Sequence, residues 1–177
     1  MTTLRPFRVD DLFAFNNVNL DPLTETYNQP FYLTYLVKWP EYFQAQEAPD
    51  GKLMGYVMGK AEGKGKNWHG HVTALTVAPE YRRLGLARRL MRDLEDVSER
   101  THNGYFVDLY VRMSNQLAIN MYKSFGYSVY RQVIGYYSGG GGMPAEDAYD
   151  MRKALPRDAN KESIVPLPNP VYLKDCE

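Results

Sequence analysis

The sequence predicts an α/β fold in which a mixed, mostly antiparallel central sheet of about seven strands carries helices on both faces. Two patterns lead to this reading. Short runs rich in β-branched and aromatic residues alternate with stretches whose apolar side chains recur at three- and four-residue steps. At the centre of the chain, His71-Val-Thr-Ala-Leu-Thr-Val77 runs through Ala78-Pro79-Glu80 into a strongly amphipathic segment. There Leu84, Ala87, Leu90, Met91, Leu94 and Val97 share one helical face.

The elements follow in order. Residues 2–7 form a short first strand, and Asp10 or Asp11 caps a helix carrying Leu12, Phe13, Phe15, Asn16 and Val18. Residues 19–30, with two prolines among Asn, Asp and Thr, form a loop. Residues 31–38 form a second helix, closed by Trp39-Pro40. Residues 42–48 and 53–61 form a hairpin turning at Asp50-Gly51, and the glycine-rich stretch 62–67 leads into the strand at 71–77. The long helix begins near Arg82 or Arg83. Residues 104–111 are a buried strand, and 115–125 a helix ended by Gly126. Residues 127–137 and 148–154 are the last two strands, with the flexible run Gly139-Gly-Gly-Gly142 between them. Residues 1–155 thus make one domain. Residues 156–177, with four prolines and scattered charge, make an extended tail, mobile or laid along a partner.

Composition narrows the function. A hydrophobic content of 44% and a charged content of 24% over 177 residues are those of a soluble protein with one real core. A net charge of zero gives no general pull toward nucleic acid or anionic membrane, and Arg82, Arg83, Arg88 and Arg89 alone make a weak case for one. No stretch approaches the ~18 apolar residues of a membrane span, and Met1-Thr-Thr-Leu-Arg5 lacks the apolar run of a signal peptide. The single Cys176 allows no internal disulfide. The reading is a cytoplasmic protein.

Chemistry concentrates at residues 82–87. Glycine admits a ligand close to the backbone, and the free amides of a helix start form an anion site. Arg82 and Arg83 beside Gly85, Leu86 and Ala87 suit a diphosphate. An amphipathic helix with a basic first turn is the plainer reading. Against it, arginine there opposes the helix dipole, and an anion would relieve the conflict.

The element order, with Arg82-x-x-Gly85-x-Ala87 after the fourth strand and Asn115 followed by Asn120-Met-Tyr122-Lys-Ser-Phe-Gly126-Tyr127, resembles the GNAT superfamily of acetyl-CoA-dependent N-acetyltransferases. More closely, Asn19-Leu-Asp-Pro-Leu-Thr-Glu25-Thr-Tyr27, Pro40-Glu-Tyr-Phe43, Trp68-His-Gly-His71, Phe106-Val-Asp-Leu109, Asp147-Ala-Tyr-Asp-Met-Arg-Lys153 and Ile164-Val-Pro-Leu-Pro168 are similar to the NatB catalytic-subunit family, tail included. The resemblance implies acetylation of protein N-termini beginning Met-Asp, Met-Glu, Met-Asn or Met-Gln. It implies a heterodimer with a large helical-repeat auxiliary subunit and, through it, ribosome association. The residues leave two other readings open: a GNAT enzyme for lysine or small amines, and a non-catalytic acyl-CoA-binding module.

For that chemistry, alternation puts His71, Thr73, Leu75 and Val77 on one face of the fourth strand. His71 is the candidate base, or a donor to an acidic second residue of the substrate, against a surface histidine at a strand start. Tyr122 is the candidate acid for the leaving sulfur, against an ordinary core tyrosine. A backbone amide near Val77, where the sheet must open for the pantetheine arm, would stabilise the oxyanion, with Leu75 beside it. Asn115 either bonds that arm or caps its own helix. Glu25, Tyr27, Tyr136 and Tyr137 form the peptide gate that the resemblance implies, and His71, Thr73 and Asn115 form a donor set for the second residue. His69-x-His71 raises the question of metal, but no Cys, Asp or Glu stands nearby in sequence, so no metal is expected. Phe13, Phe15, Phe31, Tyr32, Tyr35 and Leu36 exceed what inward faces of two helices hold. Some are expected to dock the partner, unless core packing absorbs them.

Overall fold

The computed structural model describes residues 2–139 and 144–175. Gly140, Gly141 and Gly142 of the expected flexible run, and Cys176, lie outside the described residues. The strands are β1 (Thr3–Pro6), β2 (Gln44–Glu47), β3 (Leu53–Glu62), β4 (His69–Val77), β5 (Phe106–Arg112), β6 (Ser128–Tyr137), β7 (Glu146–Ala154) and β8 (Val171–Tyr172). The helices are α1 (Gln29–Lys38), α2 (Leu86–Arg100) and α3 (Gln116–Ser124). One sheet runs β1-β2-β3-β4-β5-β7-β6-β8, parallel only at β4–β5 and β6–β8. None of the described helices is long and apolar enough to cross a membrane.

Two buried clusters lie on opposite faces. Tyr56 and Met58 of β3 pack with Phe7, Phe15, Tyr32, Tyr35 and Phe43 beneath α1. Val57, between them in sequence, packs with Leu90, Met91 and Leu94 of α2 and with Ile119 and Tyr122 of α3. Period-two alternation along β3 thus feeds both layers.

Residues 10–18 depart from the expected helix. They form two single 3-10 turns, Val9–Phe13 and Asn16–Asn19. The Asp11 carboxylate accepts the Arg8 amide at 2.7 Å and the Arg5 guanidinium at 2.7 and 2.9 Å, which ties the turn down onto β1. Phe7, Leu12, Phe15 and Val18 then all fall into one cluster. The eighth strand comes from the tail, whose Val171 and Tyr172 pair with Val133 and Ile134. Upstream, Leu167 N–H donates to Tyr130 O at 2.8 Å, and Asp158 accepts from the Glu162 and Ser163 amides. The tail lies along the molecule's own sheet.

Candidate active site

β4 and β5 run parallel but pair only from Gly70, His71 and Val72 to Val107, Asp108 and Leu109. Beyond that point β4 stays with β3 and β5 stays with β7, so residues 73–77 and 110–112 diverge. The wedge opens into a cavity of about 1100 Å³. Every site residue singled out from the sequence lies on its wall. Ala78 N–H donates to Met54 O at 2.8 Å, so alternation turns the Val77 N–H away from β3, toward the gap.

One end of the cavity is the turn before α2. Arg83 (φ 67°) and Gly85 (φ 80°) are left-handed there, so α2 starts at Leu86 rather than at Arg82 or Arg83. Leu84 consequently lies outside the helix, exposed rather than on its inner face. The first helical bond is Arg89 N–H to Gly85 O at 3.2 Å, so the amides of Leu86, Ala87 and Arg88 have no acceptor within the helix. Arg82, read from the motif as an anion ligand, lines the cavity but stands paired here. Its guanidinium pairs with Asp21 at 2.7 Å and ties that loop to the turn. Arg83 remains exposed at the mouth.

At the closed corner of the wedge, His71 is buried rather than on the surface. Its Nδ1 lies 2.7 Å from Asp108 Oδ1. A carboxylate only accepts, so Nδ1 carries a proton, and in the neutral ring Nε2 keeps its lone pair. Burial pushes the Asp108 carboxyl up, but the His71 and His69 imidazoles outweigh it and hold Asp108 ionised, below the usual carboxylate range. His69 is itself pushed up: burial opposes its charge, while Asp108, the Asn67 carbonyl and Glu62 favour it more. The premise that no carboxylate stands near His69 and His71 is therefore overturned, since Glu62 and Asp108 both do. Across the gap, burial pushes the Tyr122 phenol well up, so it keeps its proton at neutral pH.

The other end is aromatic. Tyr27 stacks on Phe31, and its hydroxyl donates to Thr73 O at 3.4 Å. Tyr136 stacks on Tyr110 with ring centres 4.5 Å apart, and Tyr137 donates to Tyr110 O at 3.3 Å. Glu25 accepts from Arg112 at 3.0 Å, and that guanidinium lies over the Tyr137 ring. Two of the expected donors are partly engaged: Thr73 Oγ1 donates to Tyr35 at 2.8 Å, and Asn115 Oδ1 caps α3 through the Ala118 amide. Sequence reasoning missed Asp108, Glu62, Tyr110, Arg112 and Tyr35. Only Asp108 left a trace there, as a lone charge inside an apolar strand.

Residues 11–127 match the model of the acetyltransferase (GNAT) family. The chain is 66% identical over 177 residues to N-alpha-acetyltransferase 20 of Dictyostelium discoideum, covering 100% of this chain and 99% of that protein. Among solved structures it is similar to Chaetomium thermophilum Naa20 in complex with a bisubstrate analogue, with a TM-score of 0.89, 45% identity and 96% of each chain covered. It is also similar to a subunit of the NatB acetyltransferase complex bound to CoA and MES, with a TM-score of 0.78, 45% identity, and 87% of this chain and 99% of that one covered. The chain belongs to the GNAT family of acetyltransferases.

Proposed function

We propose that this chain is the catalytic subunit of a NatB-type complex, a cytoplasmic enzyme that transfers acetyl from acetyl-CoA to the α-amine of protein N-termini beginning Met-Asp, Met-Glu, Met-Asn or Met-Gln. The observation that carries this reading is the wedge between β4 and β5, with unpaired amides at one end and tyrosines at the other. The cavity suits the donor. Diphosphate oxygens would take the amides of Leu86, Ala87 and Arg88, with Arg83 at the mouth, and the pantetheine arm would lie along Leu75 and Val77, near Asn115.

The reaction joins a neutral amine nitrogen to the thioester carbonyl and breaks the carbon–sulfur bond; the nitrogen gives up one proton and the departing thiolate takes one up, so no net proton is released. An α-amine has a pKa near ~8, so roughly a tenth to a fifth is already neutral at physiological pH, and a weak base suffices. His71 Nε2, left as an acceptor by the bond from Nδ1 to Asp108, takes that proton directly or through water. The Val77 amide faces the carbonyl oxygen as it gains charge. Tyr122, held protonated by burial, protonates the departing sulfur. Tyr27, Tyr136 and Tyr137 wall the pocket for the initiator methionine, with Glu25 held toward it by Arg112. His71, Thr73 and Asn115 offer polar contacts to the second residue.

The auxiliary subunit, a large helical-repeat protein that would bring the pair to the ribosome, is assigned to an apolar face. Phe13 is 77% exposed and Val37 82% exposed, with Val9 and Leu33 beside them on the same turn and helix. Phe15, Tyr32 and Tyr35 are instead absorbed by the core, and Phe31 and Leu36 pack against it half-buried, which narrows the docking candidates read from the sequence.

The test is acetyl transfer to Met-Asp, Met-Glu, Met-Asn, Met-Gln and Met-Leu peptides, and to an N-blocked lysine peptide, with and without the auxiliary subunit. Acetylation of the first four, with little on Met-Leu and none on lysine, is expected. Equal rates on all, or transfer to lysine alone, would overturn it. His71→Ala with unchanged rate and preference would remove His71 from both roles.

A further inference from the structure

The closed corner of the wedge holds three potential metal ligands, Glu62, His69 and His71, whose donor atoms all lie within 4.8 Å of one another, with Asp108 beside the two imidazoles. Glu62 and His69 face each other in register across β3 and β4, and His71 and Asp108 do so across β4 and β5. His69 stacks on Phe106, and its Nδ1 lies 2.5 Å from Asn67 O. A carbonyl only accepts, so Nδ1 carries the proton of the neutral ring and Nε2 presents a lone pair. That nitrogen is buried without a hydrogen-bond partner, 3.4 Å from Asp108 Oδ2 and 3.8 Å from Glu62 Oε1. Glu62 Oε1 lies 3.9 Å from His71 Nδ1, while Glu62 Oε2 is held by Lys60. A ring nitrogen facing two carboxylate oxygens draws a positive charge between them, either a proton on the ring, which the same carboxylates favour, or a metal ion in its place.

The spacing suits one cation class. Ligands at about 2.0–2.1 Å in a tetrahedron lie about 3.3 Å apart. The two separations from Glu62 and that between His69 and Asp108 are within a side-chain adjustment of this. We propose that Glu62 Oε1, His69 Nε2 and His71 Nδ1 form a Zn²⁺ site, its fourth position left to water or to Asp108 after adjustment, and that its occupation shuts off acetyl transfer. Two imidazoles with a carboxylate, fixed on neighbouring strands, form a nitrogen–oxygen set that zinc accepts. A metal ion on Nδ1 takes that nitrogen's lone pair, so the ring's single proton shifts from Nδ1 to Nε2. Nε2 can then no longer receive one from the amine. The shut-off rests on the role of His71 proposed above; the site itself does not.

The test uses the full chain carrying Cys176→Ser, stripped of metal and titrated with Co²⁺, whose visible absorption reports four-coordinate nitrogen–oxygen ligation. One equivalent, displaced by Zn²⁺, is expected, with affinity lowered about tenfold or more by His69→Gln and by Glu62→Gln. No such spectrum, or equal affinity in both variants, overturns the site. In parallel, Zn²⁺ should inhibit peptide acetylation by the parent chain and a chelator should restore it, while Glu62→Gln stays active and insensitive. Zinc bound without inhibition overturns the shut-off. A stripped enzyme that acetylates no N-terminal peptide would instead sink the functional reading, leaving the cobalt spectrum to decide the site.

Discussion

Tyr122 sits on α3 with its ring against Phe125 and Tyr127, and burial alone pushes its phenol up. A group that holds its proton this firmly serves as an acid, never as a base, near neutrality. Tyr122→Phe keeps the ring and removes the proton. It is expected to lower kcat by roughly 10²–10⁴-fold with acetyl-CoA affinity unchanged, read by steady-state kinetics beside calorimetric binding. In the proposed mechanism Asp108 acts at one remove, as a positioning residue. Asn at that place offers a donor as well as an acceptor, so His71 is free to turn its lone pair to Nδ1 and lose the acceptor facing the substrate. Asp108→Asn should therefore reduce kcat about tenfold or more and move the pH–rate profile. A lower melting temperature with an unmoved profile would mean that Asp108 serves packing alone. The sequence displayed Asp108 only as a charge inside an apolar run. Its partner could not be read, because His71 and Asp108 meet through a strand register that no local pattern encodes.

Elements show the same division between what is local and what is not. The periodicity of residues 86–100 and 116–124 and the alternation in β3 and β4 are local signals, and the structure has those elements where the patterns lie. Helical spacing alone extends α2 back through Leu84, while positive φ at Arg83 and Gly85 ends it at Leu86. The opening between β4 and β5 was required by the chemistry but invisible in spacing, since pairing is a tertiary matter. The first turn failed for another reason: an ion pair overrode the capping pattern. Arg5 on β1 bridges Asp11 and Glu47, each at 2.7 Å. Burial pushes the Asp11 carboxyl up, but the Arg5 hydrogen bonds and the Arg8 amide overcome this and hold it below 3.8. A carboxyl depressed in the native state adds stability above its unfolded pKa, and that contribution is lost as pH falls through the native value. Asp11→Asn should cost about 2–3 kcal/mol at neutral pH. The deficit should hold down to the ordinary carboxylate pKa and close below it, as urea unfolding at a series of pH values would reveal. A deficit independent of pH would assign the loss to packing.

At the scale of the whole molecule, the sheet is closed at one end by its own tail and left apolar on one outer face. The tail strand pairs with β6, and Leu173 just beyond it reaches the cavity wall, so the C-terminal segment borders the tyrosine end of the site. The outer face belongs to the turn Val9–Phe13 and helix α1, where Phe13 and Val37 lie open to solvent while Tyr32 and Tyr35 of the same helix are buried. Large apolar side chains left exposed together mark a binding surface, and burying each is worth about 1.5–3 kcal/mol. The face is separate from the cavity wall, which neither Phe13 nor Val37 lines, so binding and chemistry can be broken apart. The double variant Phe13→Asp with Val37→Asp should place two charges where the auxiliary subunit would bury hydrocarbon, and weaken the heterodimer by at least about 100-fold. Because both side chains already face water, the isolated variant should keep its melting temperature and its affinity for acetyl-CoA. Co-purification with the auxiliary subunit, beside calorimetric coenzyme binding by the variant, separates the outcomes. Retained assembly would move the partner to another face, and lost coenzyme binding would mean that the turn and helix support the site itself.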